Sequence, residues 1–210
     1  PISHHAVKTD SVFPLPTTAE LLKLPQPMAI GSQASTRIKA YADGIWENLP
    51  DGRLLWRTQV RSVGAQFIQI HFSRFFLPEG AVVYVYDTSG HVVQGPYTVK
   101  DQNALGGLWT AIIPAEQAVI EAVLPAGTQA QTQLEIADVT HGTHIFWKAD
   151  ATPKAAGSCN VHTACPAGNA WRDEIRSVGR YTFSDGIQTF LCSGSLVNNT
   201  TQNKKPYFLT

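Results

Sequence analysis

The cysteines are the residues of this chain with the most obvious capacity for chemistry, and all three lie in its last quarter: Cys159, Cys165 and Cys192. An extracellular protein seldom keeps an unpaired thiol, and three thiols cannot all pair within one chain. For an extracellular protein, the odd count therefore indicates that something is missing from these 210 residues. Unreactive buried thiols in a cytosolic protein are the alternative, because free cysteine often serves as a small core residue.

The histidines suggest metal binding only weakly. His141 and His144 stand three positions apart in the motif His-Gly-Thr-His, and His4 and His5 could be added to them. Zinc normally requires three or four ligands that are supported by further hydrogen bonds, and this spacing does not supply such a set. We therefore predict no metal site, and no motif in the sequence indicates another cofactor.

Five aromatic residues offer a possible binding face for sugar: Trp46, Trp56, Tyr84, Tyr86 and Trp109. If they were exposed on one side of a sheet, the protein would be a secreted binding module for carbohydrate or a cell surface, without catalytic activity. Aromatic side chains in strands more often pack in the core, because the large area they bury dominates core energetics. The binding module is therefore the alternative function.

The elements that position these residues are short strands. Segments such as "RLLWRTQV", "AQFIQIHF", "AVVYVYD" and "AVIEAVLP" are separated by turns rich in glycine and proline. In "AQFIQIHF", alternation places Ile68, Ile70 and Phe72 on one face of the strand and Gln69 and His71 on the solvated face. This spacing predicts an all-β fold, an antiparallel β-sandwich or jelly roll.

Changes in composition divide the chain into four parts. Residues 1–30 form a proline-rich arm, and residues 31–147 form the predicted sandwich. Residues 148–158 are small, polar or proline-containing, which is typical of an exposed linker. Residues 159–210 are again β-rich, but about fifty residues are too few to bury a good core, so this part is expected to be the beginning of a second domain.

Charge excludes two classes of partner. Sixteen basic residues balance sixteen acidic ones, so no overall field favours nucleic acid or an anionic membrane. No apolar run approaches the roughly 20 residues that span a bilayer. The low charge, with many Thr, Gln, Ala and Gly residues, favours a secreted bacterial protein.

The end of the chain carries its most specific motif. "CSGSLVNN" followed by "PYFLT" is similar to two consecutive strands of trypsin-like serine proteases. The longer run from "GSCNVHTACP" onward resembles the N-terminal part of the mature bacterial lysyl endopeptidases. The upstream segments "LPEGAVVYVYD", "GPYT" and "GGLWT" resemble the pro-region of their precursors. The resemblance covers nearly the whole chain and is strongest from Gly157 onward.

This resemblance implies a secreted serine endopeptidase that cleaves after lysine and leaves the cell through the periplasm. Residues 1–154 would be a pro-region that assists folding and keeps the protease inactive, and residues 155–210 the first strands of an incomplete trypsin-like barrel. Its partners would be its own protease domain and protein substrates. Cys192 would pair with the cysteine after the catalytic histidine, and Cys159 and Cys165 with cysteines still further on.

The same resemblance places the catalytic residues beyond Thr210, so the 210-residue stretch alone should be inactive. Neither His162, nor Ser193, nor Ser195 matches a catalytic position, and none is assigned a role. Cys159 and Cys165 could also bond one another across their short loop, which the resemblance implies would be non-native.

Lys154 is the candidate processing residue. It precedes "AAGSCN" in the predicted linker, a few residues before the mature chain of the family begins. If the complete enzyme cuts after lysine, the Lys154–Ala155 bond is a self-processing site on extended, exposed backbone, where nicking concentrates. An ordinary linker lysine is the alternative, and the Lys148–Ala149 bond is less well placed.

Overall fold

The computed structural model describes residues 10–12, 28–144, 163 and 165–210. Strands dominate these ranges: β1 Asp10–Val12, β2 Met28–Lys39, β3 Ile45–Asn48, β4 Leu54–Arg61, β5 Phe67–Phe76, β6 Val82–Asp87, β7 Val93–Tyr97, β8 Leu108–Trp109, β9 Gln117–Leu124, β10 Gln133–Gly142, β11 Val178–Ser184, β12 Gln188–Val197 and β13 Tyr207–Leu209. The helical elements are short: 3-10 turns at Val99–Asp101, Gln129–Gln131 and Pro166–Trp171, and helix α1 at Arg172–Ser177.

The strands form two open sheets. The first has the order β1-β4-β9-β6-β7, with β3 also paired to β4, and the second has the order β11-β12-β2-β10-β5-β8, with β13 paired to β12. Among the described strand pairs, only β1 with β4 is parallel. The predicted all-β, antiparallel fold is confirmed, and the described strands close no barrel.

The core lies between the two sheets and follows the alternation of the strands. From β5 it receives Ile68, Ile70 and Phe72, all fully buried, as predicted. The first sheet contributes alternate residues such as Trp56 and Ile120, which are also fully buried. Removing these large side chains from water is the main favourable contribution to folding.

One face of β5 differs from the prediction. Gln69 was expected on a solvated face, yet only 6% of this residue is exposed. Its amide Nε2 donates to the carbonyl of Thr110 at 2.8 Å and to the hydroxyl of Thr182, on β11, at 3.2 Å. The outer face of the second sheet is covered here by the β11–β12 hairpin, which alternation within β5 could not indicate.

The β11–β12 hairpin joins the second sheet at the edge of β2. The register pairs Gln188 with Ser32 and Leu191 with Met28, with an irregularity between Thr189 and Phe190. The predicted linker, 148–158, lies outside the described residues, as does most of the predicted arm, 1–30, although β2 already begins at Met28. The division into four parts therefore stays a prediction.

Candidate functional site

The junction between the sandwich and the hairpin contains a cluster of three polar side chains. Gln33 of β2 donates through Nε2 to the hydroxyl of Thr140 on β10 at 2.9 Å, and also to the hydroxyl of Thr189 on β12. The two threonine hydroxyls are 3.1 Å apart. Both threonines are at most 1% exposed, so their polar atoms depend on these mutual bonds.

A glycine makes this approach possible. Gly31 of β2 lies opposite Gly142 of β10 on one side and Thr189 of β12 on the other, so it separates these two neighbouring strands. A Cβ atom at Gly31 would stand 2.6 Å from the carbonyl oxygen of His141 and 2.9 Å from Cγ2 of Thr140. Only glycine therefore lets side chains of β10 and β12 meet across β2.

Aromatic contacts hold the hairpin together around this junction. The rings of Phe183 and Phe190 stack with centroids 5.2 Å apart, and Phe190 is 8% exposed. Tyr181 meets Phe208 of β13 edge to face at 6.0 Å. Of these rings only Phe190, next to Thr189 in β12, is buried, whereas Phe183 and Phe208 are 39% and 42% exposed.

A serine, an aspartate and a histidine meet on the outer face of the second sheet. Nδ1 of His71 lies 3.0 Å from Oδ2 of Asp138, and the hydroxyl of Ser35 donates to Oδ1 of the same carboxylate at 3.0 Å. The His71 ring stacks on Trp109 with centroids 4.2 Å apart. Because Ser35 faces the carboxylate and not the imidazole, this geometry does not activate the hydroxyl as a nucleophile.

The two histidines of the His-Gly-Thr-His motif point to different environments. His141 is 4% exposed and its Nδ1 lies 2.7 Å from the hydroxyl of Ser62, which is 1% exposed. His144 is exposed, with Nδ1 2.8 Å from the hydroxyl of Thr143. Within residues 28–144 and 165–210, no three His, Cys, Asp or Glu residues form a group that could hold a metal ion.

Burial makes His141 a source of pH dependence. Desolvation lowers its pKa below the ordinary value, so the folded state favours the neutral ring. The unfolded chain takes up the proton first as the pH falls below about 6.5. We therefore expect the contribution of the neutral His141 ring to the free energy of unfolding to be fully present above that pH. It should be lost as the pH falls towards the pKa of the folded state.

Urea unfolding at about pH 7.5 and about pH 5 tests this expectation, since these values bracket the ordinary histidine pKa. In the His141→Gln variant, the free energy of unfolding should fall less between the higher and the lower pH than it does in the unaltered chain. The exposed control His144→Gln should behave like the unaltered chain. An equal decrease in the His141→Gln variant and the unaltered chain would contradict the assignment.

A buried ionic network lies on the outer face of the first sheet. Glu121 Oε2 accepts from Nε of Arg57 at 3.0 Å, from its Nη2 at 2.8 Å and from the hydroxyl of Tyr86 at 3.0 Å. Burial, followed by the charge of Glu121, raises the pKa of Tyr86 to about 12. The network borders a cavity of about 700 Å³ that Tyr84 also lines.

The five aromatic residues do not share one face. Trp56 is fully buried between the sheets and Trp46 packs against that core, whereas Tyr84 and Tyr86 line the cavity on the opposite side of the first sheet. Trp109 lies on the second sheet and is 40% exposed. The arrangement expected of a sugar-binding face is therefore not formed by this set.

Two family models match consecutive parts of the chain. The lysyl endopeptidase N-terminal domain matches residues 16–143, and the lysyl endopeptidase C-terminal domain matches residues 153–210. The first match alone covers more than half of the chain. The chain belongs to the lysyl endopeptidase family. The resemblance stated from the sequence motifs is thereby confirmed, and the chain is part of a protease-related protein.

The lysyl endopeptidase of Pseudomonas aeruginosa is one curated relative. It is 23% identical over 175 residues, which cover 78% of this chain and 37% of that protein. This chain thus spans little more than a third of the length of its lysyl endopeptidase relative. None of the helices in the described ranges is long and apolar enough to cross a membrane.

The structure describes only some of the residues that the family resemblance singled out. Cys165 is an exposed free thiol and Cys192 a half-buried free thiol within β12. Lys154, Ala155 and Cys159 lie outside the described residues, as does His162. The processing bond and the disulfides to partners beyond this chain therefore stay predictions. Ser193 is exposed and Ser195 half-buried, both within β12.

Proposed function

We propose that the complete protein is a secreted bacterial serine endopeptidase of the trypsin type that cleaves after lysine, and that the N-terminal sandwich is its pro-region. The observation that carries this proposal is the order of the two family segments, with the N-terminal domain directly before the C-terminal domain in one chain. The name of the Pseudomonas relative supports lysine as the residue before the cleaved bond. The low charge of the chain supports export.

Processing would occur at the Lys154–Ala155 bond. Lys154 is the second residue of the C-terminal family match, so cleavage after it would separate the two family segments almost at their junction. An enzyme that cleaves after lysine could make this cut in its own precursor. The small and polar composition of the surrounding stretch favours the extended, accessible backbone that a protease cleft requires.

The sandwich would assist folding of the protease and keep it inactive until this cut. Barrels built from pairings between distant strands fold slowly, because loop closure precedes the contacts that reward it. The β12 strand pairs with β2 of the sandwich, which offers a preformed edge for the first strands of the protease. The mechanism would use a serine made nucleophilic by an imidazole and a carboxylate, groups that we assign to no residue of these 210.

Exposed apolar side chains support the view that residues 159–210 are the start of a larger domain. Leu196, Val197, Phe208 and Leu209 are each more than 40% exposed, on two neighbouring strands. Leu196 and Phe208 stand opposite each other on one face of this strand pair, and Val197 and Leu209 lie on the other face. Apolar side chains exposed on both faces mark a site for further packing. The rest of the protease domain is the proposed occupant.

The experiment is expression of the complete precursor from its gene, followed by mass spectrometry of the mature enzyme. The expected N-terminus is Ala155, and peptide substrates with lysine before the cleaved bond should be hydrolysed, unlike matched peptides with leucine there. A mature N-terminus at a different bond would contradict the processing site. Absence of peptide hydrolysis by the complete product would contradict the protease function.

A further inference from the structure

We propose that the outer edge of β2 is a recognition surface for the β11–β12 hairpin, and that it keeps the sandwich bound to the hairpin after the chain between them is cut. This inference rests on the proposed role of the sandwich as a pro-region, and it names the part of the protease that the sandwich binds. The partner is the segment of this same chain from Val178 to Val197.

Main-chain bonding provides the first part of the surface. One edge of β2 pairs with β10 from Gly31 to Lys39, and its other edge pairs with β12 from Met28 to Ser32. The backbone N–H of Gln33 extends this second ladder by donating to the carbonyl of Ile187 at 2.7 Å. Strand addition of this kind obtains its affinity from backbone bonds and its specificity from side-chain contacts.

Two glutamines of the sandwich donate hydrogen bonds to two threonines of the hairpin. Gln33 donates to the buried hydroxyl of Thr189 on β12, and Gln69 donates to the hydroxyl of Thr182 on β11 at 3.2 Å. An apolar residue at position 189 would remove one hydrogen-bond partner each from Gln33 and Thr140, which would keep only their bond to each other in a buried site. The surface therefore selects this hairpin over an arbitrary strand.

The position of β2 along β12 indicates what the surface controls. The β11 strand pairs with one edge of β12 from Thr189 to Ser195. On the opposite edge, β2 takes residues 188–191 and β13 takes residues 195–197. Among the described strands, the sandwich thus occupies residues 188–191 of that edge, and another strand of the protease can pair with these residues only after the sandwich is released.

The test uses the full 210-residue chain with a recognition sequence for a site-specific protease placed within residues 148–158. After complete cutting at micromolar concentration, native mass spectrometry and gel filtration should show the two fragments as one complex. Separation of the unaltered fragments under these conditions would overturn the proposal.

Substitutions at Thr189 distinguish recognition from simple loss of folding. Thr189→Val keeps the shape but removes the hydroxyl, and should weaken the complex at least about tenfold. Thr189→Ser restores the hydroxyl and should restore most of the affinity. The matched control is Ser193→Ala, which removes an exposed hydroxyl from the same strand and should change nothing. Equal weakening by Thr189→Val and Ser193→Ala, or no rescue by Thr189→Ser, would overturn the role of the polar cluster.

These measurements require no proteolytic activity. Separation of the cut fragments would therefore contradict the proposed recognition surface without contradicting the proposed cleavage after lysine. If the complete precursor were neither processed nor able to hydrolyse peptides, the proposed function would be contradicted, but the binding result would still hold.

Discussion

Replacing Lys154 with glutamine in the complete precursor is expected to slow cleavage of the bond before Ala155 by at least about 100-fold. A pocket built to pair the charge of a lysine side chain is left with unpaired buried polar groups when a neutral side chain enters it. The conversion of precursor to mature enzyme, followed over time by gel electrophoresis and mass spectrometry, gives the rate.

Two further variants make this result specific. Lys148→Gln alters the other lysine bond of the same region and should leave the conversion rate unchanged. Lys154→Arg keeps the positive charge and tests whether the site prefers lysine over any basic residue, with slower cleavage expected. Cleavage of Lys154→Gln at the same bond and at the rate of the unaltered precursor would show that lysine does not direct processing.

Replacing Glu121 with alanine is expected to lower the free energy of unfolding by about 3–5 kcal/mol, the usual cost of breaking a buried ion pair from one side. The side chains of Arg57 and Glu121 are only 6% and 11% exposed. The carboxylate accepts two bonds from the guanidinium and one from Tyr86, so its loss removes three hydrogen bonds and the negative charge that faces the buried guanidinium.

Urea unfolding of the 210-residue chain at neutral pH measures this effect. Tyr86→Phe removes one hydrogen bond of the network and should cost about 1 kcal/mol. The matched control is Asp51→Ala, because Asp51 pairs with Arg53 at 2.7 Å on the surface, where both side chains are 53% exposed. Exposed pairs contribute little, so a loss in Glu121→Ala no larger than that in Asp51→Ala would contradict the importance of burial.

Local patterns predicted several strands of the sandwich, although not β2, which begins at Met28 within the predicted arm. The alternation in "AQFIQIHF" predicted β5 and its buried residues Ile68, Ile70 and Phe72, because the side-chain period of a strand is a property of a few neighbouring residues. The Gly-Ser-Leu motif and the spacing of the cysteines similarly identified the family, since a motif is read directly from adjacent residues. The processing site at Lys154 was predicted from the same resemblance, and it stays a prediction.

Contacts between distant residues could not be predicted in this way. Glutamine and threonine at alternate strand positions indicate only an outward-facing side chain, and nothing in "GSQAST" or "GIQTF" shows that Gln33 meets Thr189, 156 positions away. The pairing of Arg57 with Glu121, 64 positions apart, depends equally on the order of strands in the sheet.

Neighbouring residues were therefore enough to predict the β class of the fold, the alternation of its core and the family to which the chain belongs. Only the folded structure shows that Gln69 on the outer face of β5 is buried, that the hairpin pairs with the edge of β2, and that Gly31 must lack a side chain. The physical reason is that strand order and register bring these residues together, and both are set by packing over the whole molecule.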